Sequence, residues 1–393
     1  MKKRHIVIAA VVTFYVTALL FLIVGVRLYM GGVFLGNDFQ SKLQKIDFML
    51  KSKYIFDYDQ AKLEEGALEG YLKACGDVYT EYISKAEYPT YKASSTGKYK
   101  GIGVVVSLDG DFVKVISVNP ESPASKAGII PDDIIKEVNG VTVNAESYND
   151  AISIIRGEDD RGKDDKLSII VMRYGEDISL DITREEVESI TVEEKLLDGN
   201  IGYIRISSFE GMTAEQLEKA LDNLNINTLK GLIFDMRNNP GGTLESVLKV
   251  SDRVLSEGII LTIKDKAGNE EVFKAEDDKS INLPICVLAN SNSASAAEVF
   301  SAALKENGVA TLVGETTFGK GIVQSIYELG DETAVKLTTA EYYTPNGTSI
   351  HKVGIKPDFE VKLDETHQNV LISDIPYNED LQLKKAVEVL NQK

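Results

Sequence analysis

Histidine, cysteine and tryptophan are scarce in this chain, and each scarcity removes a class of function. The 393 residues include three His, two Cys and no Trp. Two cysteines in so long a chain exclude a disulfide framework and a Cys-rich metal site, and no H-E-x-x-H run is present for zinc. Cys286 stands in an apolar run and is expected to be buried, so a bond to Cys75 would be an accident of folding.

The three histidines offer little to a catalytic triad. His5 adjoins an apolar N-terminal run, whereas His351 and His367 stand in polar turn or tail segments. We expect these last two to be exposed surface side chains. A Ser-His-Asp mechanism is therefore not expected.

Basic residues are also in deficit, with 43 Lys and Arg against 61 Asp and Glu for a net charge of −18. Such an acidic excess repels phosphate backbones, and no local basic patch offsets it, so we expect no nucleic-acid partner. With 43% hydrophobic and 26% charged residues, the chain has the composition of a globular protein. Its length predicts two or three domains.

The longest apolar run covers residues 6–26 and carries no charge. About 20 such residues span the hydrocarbon core of a bilayer as a helix. Lys2, Lys3 and Arg4 precede the run and Arg27 follows it, which places the N-terminus in the cytoplasm and the rest outside the cell membrane. We expect residues 1–30 to be a single-pass anchor; a cleaved signal peptide is the alternative.

Hydrophobic periodicity divides the remaining chain into four parts. Residues 31–95 have helical spacing, and the polar residues 92–100 suit a linker. Residues 96–184 read as a compact module with strands at 101–107, 112–118, 133–140 and 166–173 and helices at 122–128 and 148–156.

The largest part, residues 185–366, alternates strands with helices and predicts a layered α/β domain. Its strands are expected at 201–206, 231–235, 284–289, 310–313 and 334–343, and its helices at 213–224, 243–255 and 295–305. Residues 367–393 form a tail with an apolar helical stripe at 380–390.

A Ser-rich segment, residues 289–298, joins an apolar strand to a helix that begins near Ser295. A serine enzyme can dispense with histidine when a lysine is held neutral beside the nucleophile. A serine at a helix start also has free backbone N–H groups nearby to hold an oxyanion. The alternative is that these serines only cap the helix.

A second segment, residues 314–324, contains Lys320 between Gly319 and Gly321. It also matches seven positions of a phosphate-binding P-loop. The eighth position of that motif should be a Ser or Thr that binds Mg²⁺, and here it is Gly321, so a nucleotide site is not favoured.

The two segments, together with residues 235–242, resemble the carboxy-terminal processing peptidases, also called tail-specific proteases. That family has an S-A-S-A-x-E pattern and a T-F-G-K-G-x-V-Q block. Its serine and lysine are 25 positions apart, as are Ser295 and Lys320 here. The resemblance, which covers roughly residues 40–390, implies a multidomain α/β protein whose peptidase core is of the ClpP/crotonase-like type. It implies neither a cofactor nor a metal.

The resemblance also implies a role for particular residues. Ser295 would attack the peptide carbonyl, Lys320 would take its proton, and Gln324 would orient the lysine. Backbone N–H groups of Ala296 and of the turn formed by Gly241 and Gly242 would make the oxyanion hole.

The base has a physical requirement that does not depend on the family. A lysine at its reference pKa of ~10.4 is charged at neutral pH, and base catalysis needs a pKa nearer ~7–8. Such a shift means that the site disfavours the charged form by roughly 4 kcal/mol of free energy. We expect burial to lower the pKa of Lys320, with Phe318, Ile322 and Val323 supplying the apolar surface.

The module at residues 96–184 resembles a PDZ domain. Gly101, Ile102, Gly103 and Val104 would form its carboxylate loop, where backbone N–H groups receive the C-terminus of a peptide. Arg156 matches a family arginine that senses bound substrate. The acidic residues 158–165 that follow are longer than the short turn usual in the family; we expect a solvated loop, a partner site being the alternative.

These observations predict a membrane-anchored, extracytoplasmic serine endopeptidase that binds protein tails with free, apolar C-termini. A homodimer is an open expectation. The alternative function is that of a PDZ tethering protein with an inactive protease fold.

Overall fold

The computed structural model describes most of the chain after the N-terminal run. The described residues are 15–17, 19, 38–158, 160–162, 164–276, 280–367 and 370–392. Of the predicted anchor at 6–26, four residues are described and the others lie outside the described residues. Among the helices that the structure describes, none has both the length and the hydropathy of a membrane span. The chain divides into two compact units, residues 1–66 and 67–393.

The segment before the small module contains helices and one short strand. Its elements are α1 (Asp38–Lys53), α2 (Gln60–Lys73), β1 (Glu81–Ile83) and α3 (Tyr88–Thr96). The predicted linker at 92–100 is wrong: α3 runs to Thr96, Gly97 follows in the left-handed conformation, and another strand begins at Lys98. The helical spacing also failed to predict β1, because its partner β18 lies about 250 positions later in the chain.

The small module is a β-sheet with two helices. Its elements are β2 (Lys98–Gly101), β3 (Val104–Asp109), β4 (Phe112–Val118), α4 (Pro123–Ala127), β5 (Ile134–Val138), β6 (Val141–Thr142), α5 (Tyr148–Arg156), β7 (Lys166–Arg173), β8 (Glu176–Thr183) and β9 (Glu185–Glu188). The main sheet has the order β3-β4-β5-β7-β8, and β2 pairs with β9 outside it. The predicted bounds of β4, α5 and β7 are confirmed.

The second domain is built on a sheet with parallel strands at its centre. Its elements are β10 (Val192–Leu197), β11 (Ile201–Ile206), α6 (Thr213–Asn223), β12 (Gly231–Asp235), α7 (Leu244–Val254), β13 (Gly258–Asp265), β14 (Glu270–Ala275), β15 (Ile285–Ala289), α8 (Ala296–Glu306), β16 (Ala310–Gly314), β17 (Ile322–Gly330), β18 (Thr333–Tyr343), β19 (Phe359–Glu360) and α9 (Leu381–Asn391). The sheet order is β10-β11-β12-β15-β16-β19, antiparallel at β10 and parallel elsewhere. The carboxyl ends of β12 and β15 therefore lie side by side.

Helices cover both faces of this sheet, as the apolar runs of its strands predict. Residues of α7 and α8 pack with one face in the largest apolar cluster, and α9 packs on the other. Cys286 is fully buried on the α9 face, which confirms the prediction for that residue. Arg237, at the end of β12, bonds to Asp235 and to Asp380 at the start of α9.

A second, antiparallel sheet holds the segment after Lys320. Its order is β1-β18-β13-β14, and β17 pairs with the other side of β18. The sequence did not predict β13, β14 or β17. This sheet matters for function because β17 begins two residues after Lys320 and pairs with β18, which also pairs with β1.

Candidate active site

The candidate site is built where β12 and β15 end. The loops that follow these strands are bonded to each other: the Asn238 N–H donates to Asn290 Oδ1 at 2.9 Å, and Ser293 Oγ donates to the Met236 carbonyl at 2.7 Å. Because the strands are parallel and adjacent, both loops emerge on the same edge of the sheet. Ser295 follows in the second loop.

Ser295 has a strained backbone. It directly precedes α8 with φ 53° and ψ −116° and is half-buried. Positive φ is uncommon for a residue with a Cβ and costs of order 1–3 kcal/mol unless the surroundings impose it. An ordinary N-cap residue has extended backbone angles, so the geometry at Ser295 differs from that of a serine that only caps a helix.

The predicted oxyanion donors lie next to Ser295. Gly241 has φ 105°, and a Cβ added there would lie 2.8 Å from Ser295 Cβ and 2.9 Å from the Ala296 nitrogen. The Gly241 N–H, however, already donates to Asn239 Oδ1 at 2.8 Å. Within the described residues, the N–H groups of Gly242 and Ala296 have no hydrogen-bond partner.

Lys320 is half-buried in the loop between β16 and β17. Burial lowers the pKa of its ammonium group, and the nearby charge of Lys336 lowers it further, against the opposing effect of acidic neighbours. The direction agrees with the expectation from the sequence. Of the three residues predicted to cover it, Phe318 is 55% exposed, and the sequence did not indicate Tyr79, whose ring centroid lies 4.6 Å from Nζ.

The buried carboxylate of Glu298 is hydrogen-bonded to the backbones of both Ser295 and Lys320. Glu298 Oε2 accepts the N–H of Ser295 at 2.9 Å and the N–H of Lys320 at 2.8 Å. Its Oε1 accepts the Gly319 N–H at 2.7 Å and the Thr317 hydroxyl at 2.6 Å. Glu298 is fully buried. Its place in the S-A-S-A-x-E pattern was visible in the sequence, but its bonds to the lysine loop were not.

Tyr342 and Gln324 approach the site from the antiparallel sheet. The buried Tyr342 hydroxyl donates to the Lys320 carbonyl. Burial raises the pKa of this phenol well above its ordinary value, and a hydrogen bond with Ser295 opposes the rise. Gln324 lies on β17 opposite Thr338. Its Nε2 is buried and has no hydrogen-bond partner among the described residues, and the role of Gln324 in orienting Lys320 stays a prediction.

The prediction that His351 and His367 are exposed is wrong. Both are partly buried. His351 Nδ1 is inaccessible to solvent, and its ring is close enough to Asp77 for their charges to interact. His367 Nε2 lies 3.1 Å from Glu379. The polar segments suggested exposure, but packing of the 350–354 turn against the glycines around Lys320 covers His351.

The predicted carboxylate loop, residues 101–104, joins β2 to β3. Gly103 has φ 79°, and a Cβ there would lie 2.4 Å from Ser122 Cβ, so the loop fits closely against the start of α4. The Ile102 carbonyl accepts the Ala124 N–H at 2.9 Å. Val104 begins β3, whose edge is free of a partner strand on its other side within the described sheet.

Arg156 is the last residue of α5 and is exposed. Its Nη1 lies 3.4 Å from Thr90 Oγ1 on α3, so its recorded contact is with the preceding helix. The acidic segment after it is held by the buried Arg184, whose guanidinium donates to the carbonyls of Gly162 and Asp164.

Comparison with known proteins bears on both domains. The sequence profile of peptidase family S41 matches residues 200–361, and that of the PDZ domain matches residues 114–162. Carboxy-terminal processing protease CtpA of Bacillus subtilis is 38% identical over 330 residues, which are 84% of this chain and 70% of that protein. The carboxy-terminal-processing protease of Bartonella bacilliformis is 34% identical over 321 residues, or 80% and 73% of the two chains.

A solved structure matches the architecture. A Bacteroides fragilis protein assigned to the S41 proteases superposes with a TM-score of 0.54 over 87% of this chain and 92% of its own, at 16% identity. At that identity the likeness concerns the fold alone.

Proposed function

Because the chain belongs to the carboxy-terminal processing serine proteases of peptidase family S41, we propose that Ser295 is its nucleophile and Lys320 its general base. The observation that carries the proposal is the shared bond to Glu298, whose Oε2 holds the backbone N–H groups of both residues within 2.9 Å. The lowered pKa of Lys320 supports the base role, because only its neutral amine can accept a proton.

The proposed reaction is acyl transfer in two steps. Lys320 takes the Ser295 proton as Oγ attacks the scissile carbonyl, and the N–H groups of Gly242 and Ala296 stabilise the resulting oxyanion. The lysine then gives its proton to the departing amine. Water, deprotonated by Lys320, releases the acyl group from Ser295. Gln324 would assist by orienting the lysine.

The PDZ domain would select the substrate. Backbone N–H groups of residues 101–104 are proposed to receive the free carboxylate of a protein tail while the tail adds as a strand beside β3. Apolar side chains at the end of the tail would suit this kind of domain, and Arg156 would report occupancy to the peptidase core.

We place the enzyme at the cell membrane, anchored by residues 6–26, with its catalytic part outside the cytoplasm. The charge distribution around that apolar run supports the orientation. A homodimer is compatible with this placement. The second candidate function, an inactive PDZ tether, lacks a supporting observation, because the Ser, Lys and glycine-turn positions all keep their family identities.

The dyad is tested by the pH dependence of kcat/KM on an unstructured protein substrate. Activity should rise with pH through the lowered pKa of Lys320 and then reach a plateau, because the protonated amine cannot accept the Ser295 proton. Ser295→Ala is the inactive control. A profile already flat from pH 5 upward would rule out a titrating lysine.

Recognition of the substrate's C-terminus by the PDZ domain is tested with one peptide that ends in an apolar residue and is made with a free and with an amidated C-terminus. Charge-assisted hydrogen bonds are roughly twice as strong as neutral ones, so amidation should weaken binding by about 1–3 kcal/mol. Equal cleavage of the two peptides would mean that the PDZ domain does not recognise the carboxylate.

A further inference from the structure

The Lys320 ammonium is covered by an aromatic ring from a distant part of the sequence. Tyr79 is half-buried, and its ring centroid lies 4.6 Å from Lys320 Nζ. Tyr79 belongs to a turn organised by Asp77, whose Oδ1 accepts the Tyr79 N–H at 3.0 Å and whose Oδ2 accepts the Thr80 hydroxyl at 2.7 Å. The backbone around the ring is therefore fixed before β1 begins.

This turn is attached to the peptidase core at several points. Thr80 Oγ1 accepts the Thr338 N–H at 3.2 Å, and β1 pairs with β18 in antiparallel register. Glu81 Oε1 on β1 lies 2.9 Å from Lys336 Nζ on β18. The position of the ring over Lys320 thus depends on non-local pairing between β1 and β18.

We propose that Tyr79 is a positioning residue for the base, whose ring covers Lys320 Nζ, keeping water off it and presenting its face to the ammonium. The inference rests on the proposed role of Lys320. It adds a residue outside the S41 profile match, which begins at residue 200.

Charged and titratable groups surround the same ammonium from several elements. Lys336 disfavours its charge, whereas Glu81, Asp77 and Glu298 favour it. Tyr342 contributes its hydroxyl at the Lys320 carbonyl, and His351 lies beside Asp77. Since substitutions of Tyr79 leave all of these in place, a change in titration on replacing the ring can be attributed to the ring.

The ring has two opposing effects that substitutions can separate. By excluding water it favours the neutral amine, and by its negative face it attracts the cation. Tyr79→Ala removes both effects. Because water then reaches Nζ, we expect the loss of desolvation to outweigh the loss of the attraction between the ring and the cation. Tyr79→Leu keeps apolar cover and removes the aromatic face. Tyr79→Phe keeps both and removes only the hydroxyl.

The experiment measures the acidic limb of the kcat/KM profile for the full chain and each variant. We expect Tyr79→Ala to move the limb up by about one pH unit, Tyr79→Leu to move it down by roughly 0.4–1 unit, and Tyr79→Phe to leave it in place. Tyr82→Ala, which removes a tyrosine from the same segment, is the matched control and should also leave the limb in place.

Several outcomes would overturn the inference. These are an unmoved limb in Tyr79→Ala, an equal displacement by Tyr82→Ala, or an unmoved limb in Tyr79→Leu, which retains enough volume to test the point if the alanine variant does not fold. Lys320→Ala separates this failure from failure of the proposed function: if that variant remains active, the base assignment is wrong whatever the Tyr79 variants do.

Discussion

The carboxylate loop of the PDZ domain and the catalytic loops of the peptidase core are held in place by different means. In the PDZ domain the backbone is fixed by other backbone groups, as when the Ile102 and Gly103 carbonyls each accept an N–H at 2.9 Å. In the core, one buried side chain, Glu298, accepts the N–H groups of Ser295, Gly319 and Lys320. The first site should tolerate side-chain changes that the second cannot.

Among the substitutions that compare the two sites, the largest effect is expected from Glu298→Gln. Each carboxylate oxygen accepts at least one backbone N–H, so either orientation of the amide would direct its own hydrogens at an N–H. A displacement of about 1 Å at a catalytic group can cost 10²-fold, and we expect kcat to fall at least about 100-fold in steady-state assays.

Glu245→Gln is the matched control for that variant. Glu245 also lies in the first turn of a core helix, but it is exposed and its recorded ion pair is with Lys249. Surface substitutions of this kind usually change stability by less than about 0.5 kcal/mol. Nearly full activity in Glu298→Gln would show that the shared carboxylate does not position the two loops.

Two glycine substitutions compare the domains directly. Gly241→Ala would place a Cβ 2.8 Å from Ser295 Cβ, and Gly103→Ala would place one 2.4 Å from Ser122 Cβ, both at positive φ. We expect Gly241→Ala to lower kcat on every substrate by about 100-fold. Gly103→Ala should instead reduce the preference for a free over an amidated C-terminus, measured by the ratio of the two kcat/KM values.

The comparison would fail if the two glycine variants behaved alike. A large loss of kcat in Gly103→Ala on an amidated peptide would mean that the carboxylate loop also holds the catalytic geometry.

An effect on stability rather than on catalysis is expected where α9 joins the end of β12. Asp380 lies 2.8 Å from Arg237, and both side chains are at most 2% exposed. Removing one partner of a buried ion pair costs about 3–5 kcal/mol. Asp380→Ala should lower the unfolding free energy by about that amount in denaturant titrations, whereas Glu388→Ala, on the exposed face of α9, should change it little.

The smallest effect is expected from an ion pair within the PDZ domain. Burial tends to raise the pKa of Asp133, but the hydrogen bonds from Arg173 and from the Ile130 N–H, together with the charge of Arg173, outweigh burial and hold the pKa below its usual value. A carboxyl with a depressed folded pKa stabilises the fold above its ordinary pKa and loses that contribution as pH falls through the folded pKa. Asp133→Asn should cost about 1.5 kcal/mol at pH 7, and the difference from wild type should shrink in acid.

Hydrogen exchange of amides in β5 and β7 can measure this difference at several pH values. A difference between the wild type and Asp133→Asn that stayed constant into acid would contradict the pairing of Asp133 with Arg173.

Local sequence signals predicted those parts of the molecule whose structure is determined locally. The bounds of β4, α5, β7, β11 and β12 are confirmed to the residue, because alternation, helical periodicity and turn residues all act over a few positions. The closeness of Ser295 to Gly241 also agrees with the motif, since both follow adjacent strands of one sheet.

Features that depend on distant pairing were not predicted. Nothing in residues 77–83 indicates that β1 pairs with β18 or that Tyr79 reaches Lys320. The segment 92–100 is polar because α3 is half-exposed, and local polarity of this kind predicts a linker. For the same reason the sequence did not predict the hydrogen bonds of Glu298 to the lysine loop, although Glu298 itself is part of the S-A-S-A-x-E pattern.

The most direct test of the central claim compares Ser295→Ala, Lys320→Ala and the double variant on one unstructured protein substrate, with folding checked by circular dichroism. Ser295 and Lys320 are proposed to act as a unit, so each single variant should lose nearly all cleavage and the double variant should be no worse than either. A Lys320→Ala enzyme that kept most of the wild-type rate would contradict the assignment of Lys320 as the base.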